Sequence, residues 1–139
     1  MGVTGAVPML AYADGPAAMD WLTRAFGFVE TMRMVDDAGV LQHGELTASG
    51  ATIMLATPSP AYEGPRAHRD HCDRAREWSQ VPYVINGVLV YVDDVEAHLA
   101  RAVDSGATVL GGIEDTPFGR LYRVEDLEGQ RWMFMQAAD

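Results

Sequence analysis

Apolar and polar positions follow the same succession twice along the chain. A short apolar run comes first, "VPMLAY" from Val7 or "GVLVYV" from Gly87, and an acidic residue follows it. Apolar residues then recur at helical spacing: Ala18, Trp21, Leu22, Ala25 and Phe26 in the first half, Val95, Leu99, Ala102 and Val103 in the second. Asp14 and Asp94 stand where a side-chain oxygen can accept from the unpaired N–H groups of a helix start, and Pro16 suits a first helical turn. Gly27 and Gly106 stand where the helices should stop. Three strand-like runs come after each helix: "VETMRMV", "LQHGELTA" and "ATIMLA", then "ATVLGGI", "RLYRVED" and "RWMFMQ". "DDAG" and "TASG" supply turn residues between them.

The two successions are in register. Tyr12 matches Tyr91, Gly27 matches Gly106, Gly50 matches Gly129 and Met54 matches Met133, each pair 79 residues apart. One such coincidence means little; several at one offset predict a duplicated β-α-β-β-β unit. The fold class is therefore α+β, one domain over residues 1–139, with unit one at 5–57, a linker at 58–83 and unit two at 84–139. The linker is charged and rich in Pro and Gly. Within it "HRDHCDRAREW" predicts a short helix, and the part around Trp78 is expected to pack back on the body.

Composition narrows the function classes. The net charge of −10 repels phosphate backbones, so no nucleic-acid partner is expected, and it favours cationic ligands. No apolar run has membrane-spanning length, so no membrane partner is expected. All ten basic residues are Arg, which removes a lysine Schiff base from consideration. The single Cys72 forms no intrachain disulfide, and with no basic leader at the N-terminus this points to the cytoplasm. His68, His71 and Cys72 are metal-ligand types, but their spacing is loose and no second cluster completes a set.

"AMDWLTRAFGF" after the first strand and "VEDLEGQRWMF" near the end, set in a duplicated unit, resemble the vicinal oxygen chelate superfamily: glyoxalase I, bleomycin-resistance proteins and extradiol dioxygenases. "EDLEGQRW" and "HGEL" look most like its glyoxalase-like, PhnB-like branch of uncharacterised bacterial members. The resemblance implies curled mixed sheets around a cavity. In the family's enzymes it implies a divalent metal held by residues on the first and last strands of each unit. Those positions carry over to Val7, Met54, Gly87 and Met133, with Asn86 replacing Gly87 if the register moves by one. None of the four offers a hard donor, so no metal and no other cofactor is expected.

Strand alternation turns Met9, Met54, Leu89, Tyr91, Arg123 and Met133 to the cavity, and Trp78 is the aromatic expected to cover it. These seven are the candidate ligand-binding residues. On the strand before "TASG", one register turns in Gln42, Gly44 and Leu46; the other turns in His43 and Glu45, because a slip of one residue reverses the face. His43, Glu45, Tyr91 and Arg123 are the candidate catalytic residues. The expected function is metal-independent binding of a small organic ligand in an apolar cavity, with drug sequestration as in bleomycin-resistance proteins as its model. The alternative is a glyoxalase-like lyase or isomerase that uses acid/base residues without metal. The resemblance also implies a homodimer.

Overall fold

The computed structural model describes residues 2–83 and 85–139. The chain divides into two compact units at Tyr62/Glu63, so residues 63–83 of the expected linker group with the second and 58–62 with the first. Each unit is an α+β assembly of one four-stranded mixed sheet and a long helix.

In the first unit β1 (Met9–Ala11) leads into α1 (Gly15–Phe26), followed by β2 (Val29–Val35), β3 (Leu41–Ala48) and β4 (Ala51–Ala56). The strands lie in the order β1-β4-β3-β2. Only β1 runs parallel to its neighbour; the others are joined by short turns and run antiparallel. The Asp14 carboxylate accepts from the Ala17 N–H at 3.1 Å, and Gly27 ends α1 with φ at 79°. The apolar stripe of α1 is buried against one face of the sheet, with Met19, Leu22 and Ala25 fully covered and Leu41, Leu46, Ile53 and Leu55 opposite them. Gly44 makes this approach close: a Cβ there would lie 2.5 Å from the Met19 sulfur.

The second unit opens with α2 (Pro65–His71) and α3 (Asp73–Trp78), two short helices where the sequence predicts one. Then come β5 (Val88–Tyr91), α4 (Val95–Asp104), β6 (Thr108–Thr116), β7 (Gly119–Glu125) and β8 (Arg131–Ala137), with strand order β5-β8-β7-β6. Asp94 caps α4 through the Ala97 N–H at 3.1 Å. The cap at the other end is Ser105, and Gly106 takes the left-handed position one residue beyond it. Tyr122, Val124, Trp132 and Phe134 are fully buried. The Phe134 ring centre lies 4.1 Å from that of His98 on α4, with the rings tilted by 36°, and His98 Nδ1 shares a 2.7 Å hydrogen bond with the Tyr122 hydroxyl. Burial pushes the Tyr122 phenol well above its ordinary range, so it stays neutral.

The connection is fastened to the second unit at both ends. Arg66 donates to the Leu127 and Asp126 carbonyls, each at 2.9 Å. Arg131 donates to the carbonyls of Ser79, Val81 and Tyr83. No helix among the described residues is long and apolar enough to cross a membrane.

Candidate functional site

Each sheet has one face under its helix and one turned away from it. On the second kind of face the first unit carries a single row across all four strands. Met9 pairs with Met54, Met54 with Glu45, and Glu45 with Met32. Alongside, His43 pairs with Met34, and its Nε2 lies 3.0 Å from Glu45 Oε2. Of the two registers open from the sequence, the structure takes the one that places His43 and Glu45 beside Met54; Gly44 and Leu46 go to the helix.

Turn length decides this. Ser49 and Gly50 form a two-residue connection, both with positive φ, that sets Ala48 opposite Ala51 and so Glu45 opposite Met54. In the second unit residues 126–130 make a longer turn that sets Glu125 opposite Arg131 and Arg123 opposite Met133. The two units are thus one residue out of step at this strand, despite their shared offset elsewhere.

The corresponding face of the second sheet carries the row Leu89, Met133, Arg123, since Leu89 pairs with Met133 and Met133 with Arg123. Tyr91 lies one step along β5, 62% exposed, and Leu89 is 45% exposed. The Arg123 guanidinium is engaged: Nη1 bonds the Glu114 carboxylate, and its carbon stands 5.7 Å from the centre of the Tyr83 ring. Arg123 Nε is buried with no hydrogen-bond partner among the described residues. Sequence reasoning found Arg123 but missed Glu114 and Tyr83. It also missed Met32 and Met34, whose signal was present as alternate positions of "VETMRMV".

Trp78 stands elsewhere. With Arg69, Ser79, Asn86, Gly129 and Arg131 it lines a cleft of about 100 Å³. None of the other six candidate ligand-binding residues lines this cleft. Arg131, which alternation turns to the same face as Met133, is buried under the carbonyls it binds.

The family's metal positions offer no charged or imidazole donor. Val7 precedes β1 and is 45% exposed, Gly87 precedes β5, and Met54 and Met133 sit centrally in their rows. Asn86, the alternative to Gly87, holds a left-handed conformation at φ 54° in the Trp78 cleft. Among the described residues no group of three His, Cys, Asp or Glu side chains could hold an ion. His68 and His71 have ring centres 5.7 Å apart, and His71 bonds Glu63. A hard divalent ion does not fit the residues present at these positions.

Sequence reasoning also missed a buried ionic centre. Glu125, 1% exposed, accepts two hydrogen bonds from Arg69, and Arg131 and Arg66 approach it at 3.4 and 3.5 Å. Burial pushes this carboxyl up, but the hydrogen bonds and charge of Arg69, with the charges of Arg131 and Arg66, hold it below the usual carboxylate range. Beside it the buried Asp126 accepts from the Trp132 indole N–H at 3.0 Å and from the N–H groups of Glu128 and Gln130.

Two β-α-β-β-β units, each with a sheet face left uncovered by its helix, define a recognisable class. The chain belongs to the Glyoxalase/Bleomycin resistance protein/Dioxygenase superfamily, whose model matches residues 6–134. An uncharacterized protein of Mycobacterium bovis is 32% identical over 134 residues, spanning 93% of this chain and 80% of that one. The crystal structure of TioX from Micromonospora sp. ML1 is 31% identical and superposes with a TM-score of 0.69, covering 98% of each chain. The bleomycin-binding protein of Streptomyces verticillus, solved with copper(II)-bleomycin, shares the fold at 16% identity and a TM-score of 0.62, covering 99% of each chain.

Proposed function

We propose that this protein binds a small organic ligand against its open sheet faces, without the hard divalent metal that the family's enzymes carry, and that it does so to sequester the compound. One observation carries the reading. At two of the family's metal positions, Met54 and Met133 stand half-covered in the middle of open rows, flanked by Met9 and Leu89, 76% and 45% exposed. Unbranched thioether chains adapt to varied aromatic and aliphatic shapes. The Streptomyces verticillus relative supports the reading as a binder of bleomycin in the same fold. The net charge of −10 draws cationic compounds. Glu114 neutralises the one arginine in the second row, which reduces its pull on anions.

Tryptophan fluorescence tests this. Trp21 and Trp132 are 6% and 0% exposed, so solvent-sensitive emission comes from Trp78 at 45%. Matched cationic and anionic aromatic compounds are titrated at two salt concentrations, with calorimetry to cover ligands that leave Trp78 unaffected. Saturable binding of the cations, weakened by salt, is expected. Tighter binding of the anions at both salts sinks the cation preference, and no binding across the panel sinks the reading.

The His43–Glu45 hydrogen bond on an open face favours a second reading, an acid/base lyase or isomerase of the same family. Turnover of a metabolite panel that is abolished in His43→Ala and Glu45→Gln separates it from sequestration. The same family also leads us to propose a homodimer, which sedimentation at micromolar concentration tests.

A further inference from the structure

We propose that the open face of the first sheet is a soft-metal site for Cu(I), held by the thioethers of Met32, Met34 and Met54 and by the imidazole of His43. The site does not rest on the organic-ligand reading. The argument begins with placement. Four of the chain's eight methionines, Met9, Met32, Met34 and Met54, lie on this one face, so it is unusually rich in sulfur. Met34 is the direct partner of His43, and Met32 and Met54 are the direct partners of Glu45 on either side. Direct partners on one face hold their Cβ atoms about 4.5–5.5 Å apart, and diagonal neighbours about 7–8 Å. Met32 and Met54 flank Glu45 from opposite sides, two strand spacings or about 9.5 Å apart, so their flexible side chains must both lean inward over Glu45 to meet an ion beside His43 and Met34. Met32 and Met34 are 43% and 55% exposed, so gathering them displaces no core packing.

The donor chemistry selects the ion. Thioether sulfur is soft and prefers Cu(I), whereas to a hard divalent ion this face offers only one carboxylate, Glu45, and one imidazole, His43. Glu45 completes the arrangement without being a ligand. A neutral imidazole that donates Nε2–H to Glu45 across the 3.0 Å contact keeps the Nδ1 lone pair for the ion. A metal-binding histidine characteristically donates its other N–H to a carboxylate in this way. The Glu45 charge also offsets that of a monovalent cation. Met9 ends the row next to Met54, outside the proposed ligand set.

The test uses the full chain with Cys72→Ser, because the free thiol of Cys72 beside His71 would otherwise compete for Cu(I). The protein carries methyl-13C methionine and is titrated with Cu(I) alone under anaerobic conditions, against a chromophoric Cu(I) chelator. One equivalent is expected to transfer from the chelator, shifting the methyl signals of Met32, Met34 and Met54 and leaving buried Met19 in place. Met34→Leu combined with Met54→Leu should weaken binding at least tenfold, as should His43→Ala. Glu45→Gln should weaken it by about 10–100-fold. Variants whose thermal melts differ from the parent are set aside, and the methyl shifts of the parent then decide whether the site exists. No transfer from the chelator, uptake that moves none of the three methyl signals, or Zn(II) binding as tightly as Cu(I) would each overturn the proposal.

Discussion

Arg69 and Glu125, 56 residues apart, meet in a two-pronged pair: the two terminal guanidinium nitrogens donate to the two carboxylate oxygens at 2.7 and 2.9 Å. This pair joins α2 to the end of β7. Glu125→Gln removes the charge that compensates Arg69 and the buried Arg131. Breaking a buried pair from one side typically costs about 3–5 kcal/mol, and that loss is expected in urea unfolding of this variant. A loss below about 1 kcal/mol would mean that the pair is solvated in solution.

The same pair sets an acid limit. Glu125 has a lower pKa folded than unfolded, so the unfolded chain binds the proton more readily. Its stabilisation is complete above the ordinary carboxylate value of about 4.3 and is lost as pH falls through the depressed folded value. The urea midpoint should therefore drop between neutral pH and the acid side of that value. It should drop less in Glu125→Gln, and parallel curves for the two proteins would refute the assignment.

Gly119 at the start of β7 has φ at 147°, and a Cβ there would lie 2.2 Å from the Gln136 carbonyl oxygen. Gly119→Ala is expected to cost about 2–3 kcal/mol through backbone strain and overlap. Gly112, with nothing within 4 Å of its Cβ position, is the control. Gly112→Ala should leave the melting temperature within a degree or two of the parent, and equal losses at the two sites would show the close approach to be absent.

Purified protein should hold no stoichiometric Zn, Ni, Fe or Mn, because Val7, Met54, Gly87 and Met133 occupy the family's ligand positions. Elemental analysis after chelator treatment checks this. About one such metal per chain, resistant to the chelator, would contradict it.

Met133→Glu places a carboxylate in the centre of the second open row, beside Leu89 and Arg123. An uncharged aromatic ligand identified by titration should bind at least tenfold more weakly, since the new charge must be desolvated. Unchanged affinity in both Met133→Glu and Met54→Glu would remove these rows from the site.

Much of the fold could be read from local sequence. β2, β3 and β4 run over the segments predicted for them, and Asp14 and Asp94 cap the helices as their positions require. The rows that carry the candidate residues were harder to read. Whether His43 or Gly44 faces away from the helix depends on the parity of one turn, and Ser49–Gly50 differs in that parity from its counterpart at 126–130. Ionic partners are harder still. In the sequence Arg66 and Arg69 belong only to a charged linker, and tertiary placement alone brings them to Glu125. Arg131 read as a cavity residue by alternation, yet the carbonyls of Ser79, Val81 and Tyr83 cover it. Trp78, expected to cover the cavity, lines a cleft that none of the other six candidates lines.

The closing strand pair of the first unit has a consequence during synthesis. β1 must wait for β4, 45 residues later (54 − 9), before its parallel ladder can form. Once Ala56 is made, every strand of that sheet is present. The methionine row of the first unit is thus drawn wholly from residues 9–56, and its ladder needs no strand from beyond Tyr62.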